Sequence, residues 1–258
     1  MLLTVDVGNS TTVLGLFDGE ELRHRWTITT VPHRTVDEHA LLVAGLLGRV
    51  GLEVASDVTG VAIGSVVPVV TETLRTLFVR ELPGDEGPVV VGPGVRTGVA
   101  IRHDHPQDLG ADRIANAVAV ATLYGGPAIV VDFGTAISFD AVDEHGVFVG
   151  GAIAPGVLTA ADALVASAAR LPTVEPIAPD SPIGRSTTTA LQSGIINGAA
   201  GLVDGLVSRI SLELGQGVTT VATGGQADLV LHRCGTIDHH DPALTLKGLR
   251  LVWERNSG

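Results

Sequence analysis

Leu2-Leu3-Thr4-Val5-Asp6-Val7-Gly8-Asn9-Ser10-Thr11-Thr12-Val13-Leu14-Gly15-Leu16 opens the chain. Its plan returns in Ala128-Ile129-Val130-Val131-Asp132-Phe133-Gly134-Thr135-Ala136-Ile137-Ser138-Phe139-Asp140, 126 residues later in a chain of 258. Each copy starts as an apolar run of buried-strand type. Each then carries Asp-x-Gly and a group of small hydroxyl residues. Each continues into a second strand, a turn (Asp18-Gly19-Glu20 or Asp143-Glu144-His145-Gly146) and a third strand. Two copies are too few for a solenoid. They predict a duplicated, two-lobed protein with a cleft between the lobes.

Outward from these copies, strands and helices alternate. Helical spacing runs over residues 36–50, 71–79, 112–124, 187–214 and 244–253. Strands are predicted at 60–67, 88–91 and 218–222, the last ending at Thr223-Gly224-Gly225 with a helix to follow. This is an α/β pattern. A boundary near residues 111–127 divides it into an N-terminal lobe, 1–114, and a C-terminal lobe, 115–258.

Composition narrows the function. Hydrophobic residues make up 45%, enough for a packed core. The formal net charge is −12, which argues against non-specific binding to nucleic acid or to an anionic membrane. Aromatic residues are only 3%, so platforms for stacking single-stranded bases are scarce. The start Met1-Leu2-Leu3-Thr4-Val5-Asp6 lacks the basic region of a secretory signal, and no apolar run of membrane-spanning length is uninterrupted. Cys234 is the single cysteine, so no intrachain disulfide can form. A cytoplasmic protein is expected. Of the 16 Lys and Arg residues, Lys247 alone is a lysine. A polyanionic substrate must then meet backbone N–H groups, arginines and bound cations.

Asp6-Val7-Gly8-Asn9-Ser10-Thr11-Thr12 can form a tight hairpin whose N–H groups and hydroxyls cradle phosphate oxygens. Its Asp can orient hydrated Mg²⁺. An ordinary hairpin turn would use the same Gly and Asn. The second copy, at Asp132-Phe133-Gly134-Thr135, favours the phosphate reading. Thr223-Gly224-Gly225 would let a flat ring approach the backbone, or serve as a plain strand-to-helix turn. No Walker motif surrounds Lys247, and no G-x-G-x-x-G joins a strand to a helix. Gly110-Ala111-Asp112-Arg113 heads an apolar helix. Asp112 can be a general base with Arg113 neutralising an anionic substrate, or Asp112 can be the helix N-cap, the simpler reading on spacing alone. Ser186-Thr187-Thr188-Thr189 can bind a carboxylate or cap its helix; the residues alone leave both open. The nine histidines show no metal-ligand spacing.

These motifs together resemble the type III pantothenate kinase (Bvg accessory factor) family over residues 1–256. Further carriers of the resemblance are Val91-Gly92-Pro93-Gly94-Val95-Arg96-Thr97-Gly98, Gly150-Gly151-Ala152-Ile153-Ala154-Pro155-Gly156, Gln192-Ser193-Gly194 and Leu244-Thr245-Leu246-Lys247-Gly248-Leu249-Arg250. The resemblance implies the duplicated actin-like ATPase (ribonuclease H-like) fold and phosphorylation of pantothenate by ATP at the entry to coenzyme A synthesis. It implies ATP phosphates on Asp6, Val7, Gly8, Asn9, Ser10, Thr11, Thr12, Val13 and Thr135, with adenosine near Gly224 and Gly225. Pantothenate would lie against Gly110, Ala111, Asp112, Arg113 and Thr187, with Asp112 as base. A monovalent cation, potassium or ammonium, would lie at Asp132, beside Mg²⁺ at Asp6, in a homodimer.

Three departures stand out. Ile137 takes the place of a threonine in the family's Thr-Ala-Thr-Thr run. His103 stands where a tyrosine is common near the pantothenate pocket, and His39 where tryptophan or leucine is common. His103 and Ile137 prompt a second reading, a kinase of the same fold acting on a different small hydroxy acid; a third, of another class, is a non-catalytic paralogue that binds ATP or a partner and regulates. Retention of Asp112 favours catalysis.

Overall fold

The computed structural model describes residues 1–82 and 87–257. In chain order its elements are β1 (Leu2–Val7), β2 (Thr11–Asp18), β3 (Glu21–Thr29), α1 (Val36–Gly48), α2 (Val54–Asp57), β4 (Gly60–Ser65), α3 (Pro68–Glu81) and β5 (Val89–Val90). There follow α4 (Ala111–Leu123), β6 (Ala128–Phe133), β7 (Ala136–Val142), β8 (Phe148–Pro155), α5 (Val157–Ser167), α6 (Thr187–Leu214), β9 (Thr219–Thr223), β10 (His239–His240) and α7 (Leu244–Glu254). Two compact units result. One comprises Met1–Gly98, Asp104–Ala119 and Leu244–Gly258; the other comprises Val99–His103 and Val120–Ala243.

The first unit is built on a sheet of order β3-β2-β1-β4-β5. β1 runs antiparallel to β2 and parallel to β4, and β5 is parallel to β4. The parallel joins need crossovers, which α1, α2 and α3 supply. Leu3, Val5 and Val7 of β1 alternate onto one face and share a core with Val43 and Leu47 of α1 and Val70, Leu74, Leu77 and Phe78 of α3. A capping box starts α1. The Thr35 hydroxyl accepts from the Glu38 N–H at 3.3 Å, and the Glu38 carboxylate accepts from the Thr35 N–H at 2.7 Å. Such a cap contributes about 1 kcal/mol. The terminal helix α7 packs on β1 and β4. Leu246 joins Leu2 and Phe17, and Leu249 fills the space over Gly64.

The second unit repeats the topology. Its sheet, read from β8, has the order β8-β7-β6-β9-β10: a three-strand antiparallel meander, then parallel neighbours β6, β9 and β10. Ile129, Val131 and Phe133 of β6 and Ile137 and Phe139 of β7 face a core shared with Ile196, Val203 and Val207 of α6. α6 has the length and hydropathy of a membrane span. One stripe of it is nevertheless sunk in this core. Its Asp204 also accepts hydrogen bonds from the backbone N–H groups of Gly235 and Thr236. After Gly225 the expected helix is replaced by two one-turn 3₁₀ segments, Ala227–Leu229 and Leu231–Arg233. Their bonds run from i to i−3, as in Leu229 N–H to the Gln226 carbonyl. Only nine residues separate Gly225 from Gly235, too short a span for a self-supporting α-helix.

His39 lies in the buried stripe of α1 at 2% exposure, and its Nε2 finds no hydrogen-bond partner. Burial foremost, then the Arg34 charge, pushes its pKa below 6.5, against a smaller opposing pull from Glu38. The unfolded chain therefore binds the proton first. Stability is complete above about pH 6.5 and falls as the pH drops through that value toward the folded pKa. Urea midpoints at pH 7.5 and 5.5 should show a drop that is smaller in His39→Leu. An equal drop in both proteins would remove His39 as its source.

Candidate functional site

In the first unit, polar residues gather at the carboxyl ends of β1 and β4. Asp6 is the one half-buried residue of β1, in register with Val13 on β2 and Gly64 on β4. The turn that follows is closed by the Gly8 N–H donating to the Thr11 carbonyl at 2.9 Å. Asn9, Ser10 and Thr11 are exposed on it. The turn is tied down from behind. The Thr30 N–H donates to the Ser10 carbonyl at 3.0 Å, and the Thr12 and Thr30 hydroxyls are bonded at 2.8 Å. The segment is a hairpin turn, and it exposes Asn9, Ser10 and Thr11 at the end of β1.

Gly110, just before α4, stands within van der Waals reach of Val66, the residue that follows β4. The head of α4 therefore shares the carboxyl edge of β4. Asp112 is not the N-cap. The Ile114 N–H donates to the Gly110 carbonyl at 3.1 Å, so Gly110 holds the cap position and Asp112 is the second residue of the helix. The Asp112 carboxylate accepts from the Arg113 N–H at 2.9 Å and rests against Gly110. Asp112 and Arg113 are both half-buried. The carboxylate thus engages one N–H of the first turn of α4 while Gly110 holds the cap position.

In the second unit Asp132 occupies the place on β6 that Asp6 has on β1. It lies in register with Ser138 on β7 and Thr223 on β9. Paired residues point to the same side of a sheet, so two hydroxyls flank this carboxylate. Ile137, one residue away, points to the other side and is buried with Phe133 and Phe139. The hydroxyl beside Asp132 is therefore that of Ser138, and the loss of a threonine at 137 does not touch this row. Thr135, in the β6–β7 turn, is exposed. Its carbonyl accepts from the Gly156 N–H at 3.0 Å and the Thr159 hydroxyl at 2.7 Å, which seats the first turn of α5 on the β6–β7 turn. Gln226 adds a second tie. Its N–H donates to the Phe133 carbonyl at 2.9 Å, and its side-chain oxygen accepts from the Leu158 N–H at 3.2 Å. Sequence reading misses Gln226 and Thr159, since nothing local marks residues whose partners lie far along the chain.

Gly224 closes β9 with φ +96°. A methyl group there would overlap the Asp132 carboxylate and stand 2.5 Å from the Phe133 nitrogen. Gly225 has nothing within 4 Å in that direction. Thr187 is the first residue of α6 and is exposed; Ser186 and Thr189 form the capping box without it. Gly184, Arg185, Ser186 and Thr187 line one part of a hollow of about 960 Å³ whose other walls include Ile137, Val157, Leu164, Leu191 and Leu202. His103 is half-buried, its ring 6.4 Å from that of Phe148. Cys234 is half-buried, and its Sγ lies 3.5 Å from the Val230 carbonyl. Burial first, and Asp204 second, push its thiol up to about 11.

A family model described as type III pantothenate kinase matches residues 2–209. A type III pantothenate kinase of Streptomyces coelicolor is 52% identical over 99% of this chain and 98% of its own. That of Thermobifida fusca is 52% identical over the whole of both chains. Among solved structures, a Baf family protein of Campylobacter jejuni, described as a transcriptional activator, aligns at TM-score 0.62 with 19% identity over 99% of this chain and 98% of its own. The activator of the 2-hydroxyisocaproyl-CoA dehydratase from Clostridium difficile, with bound ADPNP, aligns at 0.57 with 13% identity over 99% and 96%. These two likenesses bear on the fold, which is the two-lobed one of actin-like ATPases and sugar kinases.

The two neighbouring glycines should behave differently. Gly224→Ala should lose about 1–3 kcal/mol from backbone strain, before any displacement of Asp132. Gly225→Ala should stay within about 0.5 kcal/mol of wild type. Denaturant midpoints measure both, and equal midpoints would contradict the crowding at Gly224.

Proposed function

The chain belongs to the type III pantothenate kinase family, and from that premise we propose how its residues divide the work. It is an ATP-dependent kinase that phosphorylates pantothenate in coenzyme A biosynthesis. The observation that carries this is identity near 52% along the full length of enzymes so named. A different hydroxy acid or a non-catalytic role is not favoured.

Asp112 is the general base. The pantothenate hydroxyl gives its proton to the Asp112 carboxylate, its oxygen forms a bond to the γ-phosphorus of ATP, and the bond to the β-phosphate oxygen breaks to leave ADP. Phosphoryl transfer asks little covalent chemistry of a protein and much positioning. In the first unit Arg113 faces the pantothenate carboxylate, with Gly110 and Ala111 beside it; in the second unit Thr187 is a further pantothenate residue. In the first unit Asp6 and the turn through Val13 bind phosphate; in the second unit Thr135 does so, and Gly224 and Gly225 leave room for adenosine.

Two cations fit the residues present. Mg²⁺ needs no protein cage: one carboxylate, waters and phosphate oxygens serve it, and half-buried Asp6 at a strand end suits that role. Asp132, paired in register with the hydroxyl residues Ser138 and Thr223, offers oxygen atoms of the kind that potassium or ammonium takes. When bound, the two cations would offset phosphate charge that a chain with one lysine meets sparingly.

A second copy of the chain covers the outer face of α5 and α6. The support is the apolar hollow there, together with Leu158, Leu164 and Leu212 at 37%, 45% and 85% exposure.

Three measurements test these roles. Asp112→Asn retains the oxygen that accepts from Arg113 and should lower kcat by about 10²–10⁴-fold with KM for ATP little changed. Wild-type turnover in that variant would rule out Asp112 as base. ADP release should require pantothenate, Mg²⁺ and potassium or ammonium; equal rates in sodium alone would remove the cation from the Asp132 site. Sedimentation should give a dimer for wild type and a monomer for Leu164→Glu. A monomeric wild type would end the dimer reading.

A further inference from the structure

We propose that Asn116 and Thr245 form a positioning pair that fixes where Asp112 presents its carboxylate. The inference rests on the assignment of Asp112 as base.

Asn116 follows Asp112 by four residues on α4, so the two side chains leave the same face one turn apart. Asn116 is wholly buried, among Ala115, Ala117 and Val118, which are equally buried. A packing site of this kind has no need of an amide, and a buried amide left unbonded is destabilising. Here the amide is used. The Thr245 hydroxyl, in the first turn of α7, donates to the Asn116 side-chain oxygen at 2.8 Å.

One helical turn along α7, Gly248 supplies the companion contact. It is seated on the Ala115 carbonyl so closely that a methyl group would stand 2.5 Å from the carbonyl carbon. Thr245 and Gly248 are three residues apart and share a face of α7. Ala115 and Asn116 are adjacent on α4. A steric stop and a directional bond at one crossing leave α4 no freedom to slide along α7 or to turn beside it. α7 is itself fixed to the sheet, through Leu246 against Leu2 and Phe17 and Leu249 over Gly64.

Slippage of α4 by one residue would shift its head by about 1.5 Å and turn it by about 100°. That would carry the Asp112 carboxylate away from Gly110 and from the carboxyl edge of β4. The setting of the base is thus held from one turn deeper in the helix. A merely stabilising contact could be apolar, whereas a buried polar pair fixes register.

The test is a double-mutant cycle on the purified enzyme. Thr245→Val removes the hydroxyl and keeps the volume. It should lower kcat roughly tenfold or more, as displacement of a reacting group does, and Thr245→Ser should restore it. KM for ATP should move less than about twofold, since nucleotide contacts are not disturbed. In an Asp112→Asn background, Thr245→Val should produce no further loss, because the carboxylate it positions is gone. Wild-type kcat in Thr245→Val would overturn the proposal, as would an undiminished loss in the Asp112→Asn background. Should Thr245→Val prove unfolded, Thr245→Ala goes through the same cycle, and the same two results would overturn the proposal. Failure of the base assignment shows separately, as wild-type turnover in Asp112→Asn alone.

Discussion

A strand buried on both faces has room for a charged side chain only near its end, and both units of this molecule are organised around that constraint. β1 and β6 have the same burial pattern, four buried residues, one half-buried carboxylate and one more buried residue. Each has an antiparallel partner on one side and a parallel partner on the other. The carboxylate therefore emerges where a parallel neighbour also ends, which is where open α/β sheets bind ligands. The turns after Asp6 and Asp132, the head of α4 beyond β4, and Gly224 at the end of β9 all occupy such edges.

What is legible in the sequence follows from this repetition. Six-residue apolar strands broken by Asp-x-Gly can be read locally, because burial writes itself into composition. The long helices 36–50, 112–124 and 187–214 are legible through their periodicity, and the helices observed end within two residues of those bounds. What stays hidden depends on contacts distant in sequence. Nothing in the pattern of α7 says that it returns to cover β1 and β4. The apolar stretch after Gly225 does not announce that Gln226 bridges Phe133 and Leu158. Asp112 reads as a cap because Asp near a helix start usually is one; the backbone places Gly110 there and moves the carboxylate two residues inward.

The substitution at position 137 shows the value of register over motif. Read as a string, Thr135-Ala136-Ile137-Ser138 has lost a hydroxyl from a polar run. Read as a strand, alternate residues belong to different environments. Ile137 lies with Phe133 and Phe139 in the core, where a larger apolar side chain is a gain in burial. Ser138 keeps its place beside Asp132. The same logic explains why a buried asparagine in an alanine-rich helix is informative: its setting offers no solvent to excuse it.

The placement of α7 also orders events at the ribosome. Translation delivers β1 to β5 first, then α4, then β6 to β10, and α7 after them. The cluster of Leu2, Phe17 and Leu246, with Val13, Leu22 and Trp253 packed against it, cannot form until that final segment has left the exit tunnel. The second unit is complete in sequence by Ala243 and can close while the first still shows an uncovered sheet face. The first unit therefore draws part of its core from residues made more than two hundred positions after β1.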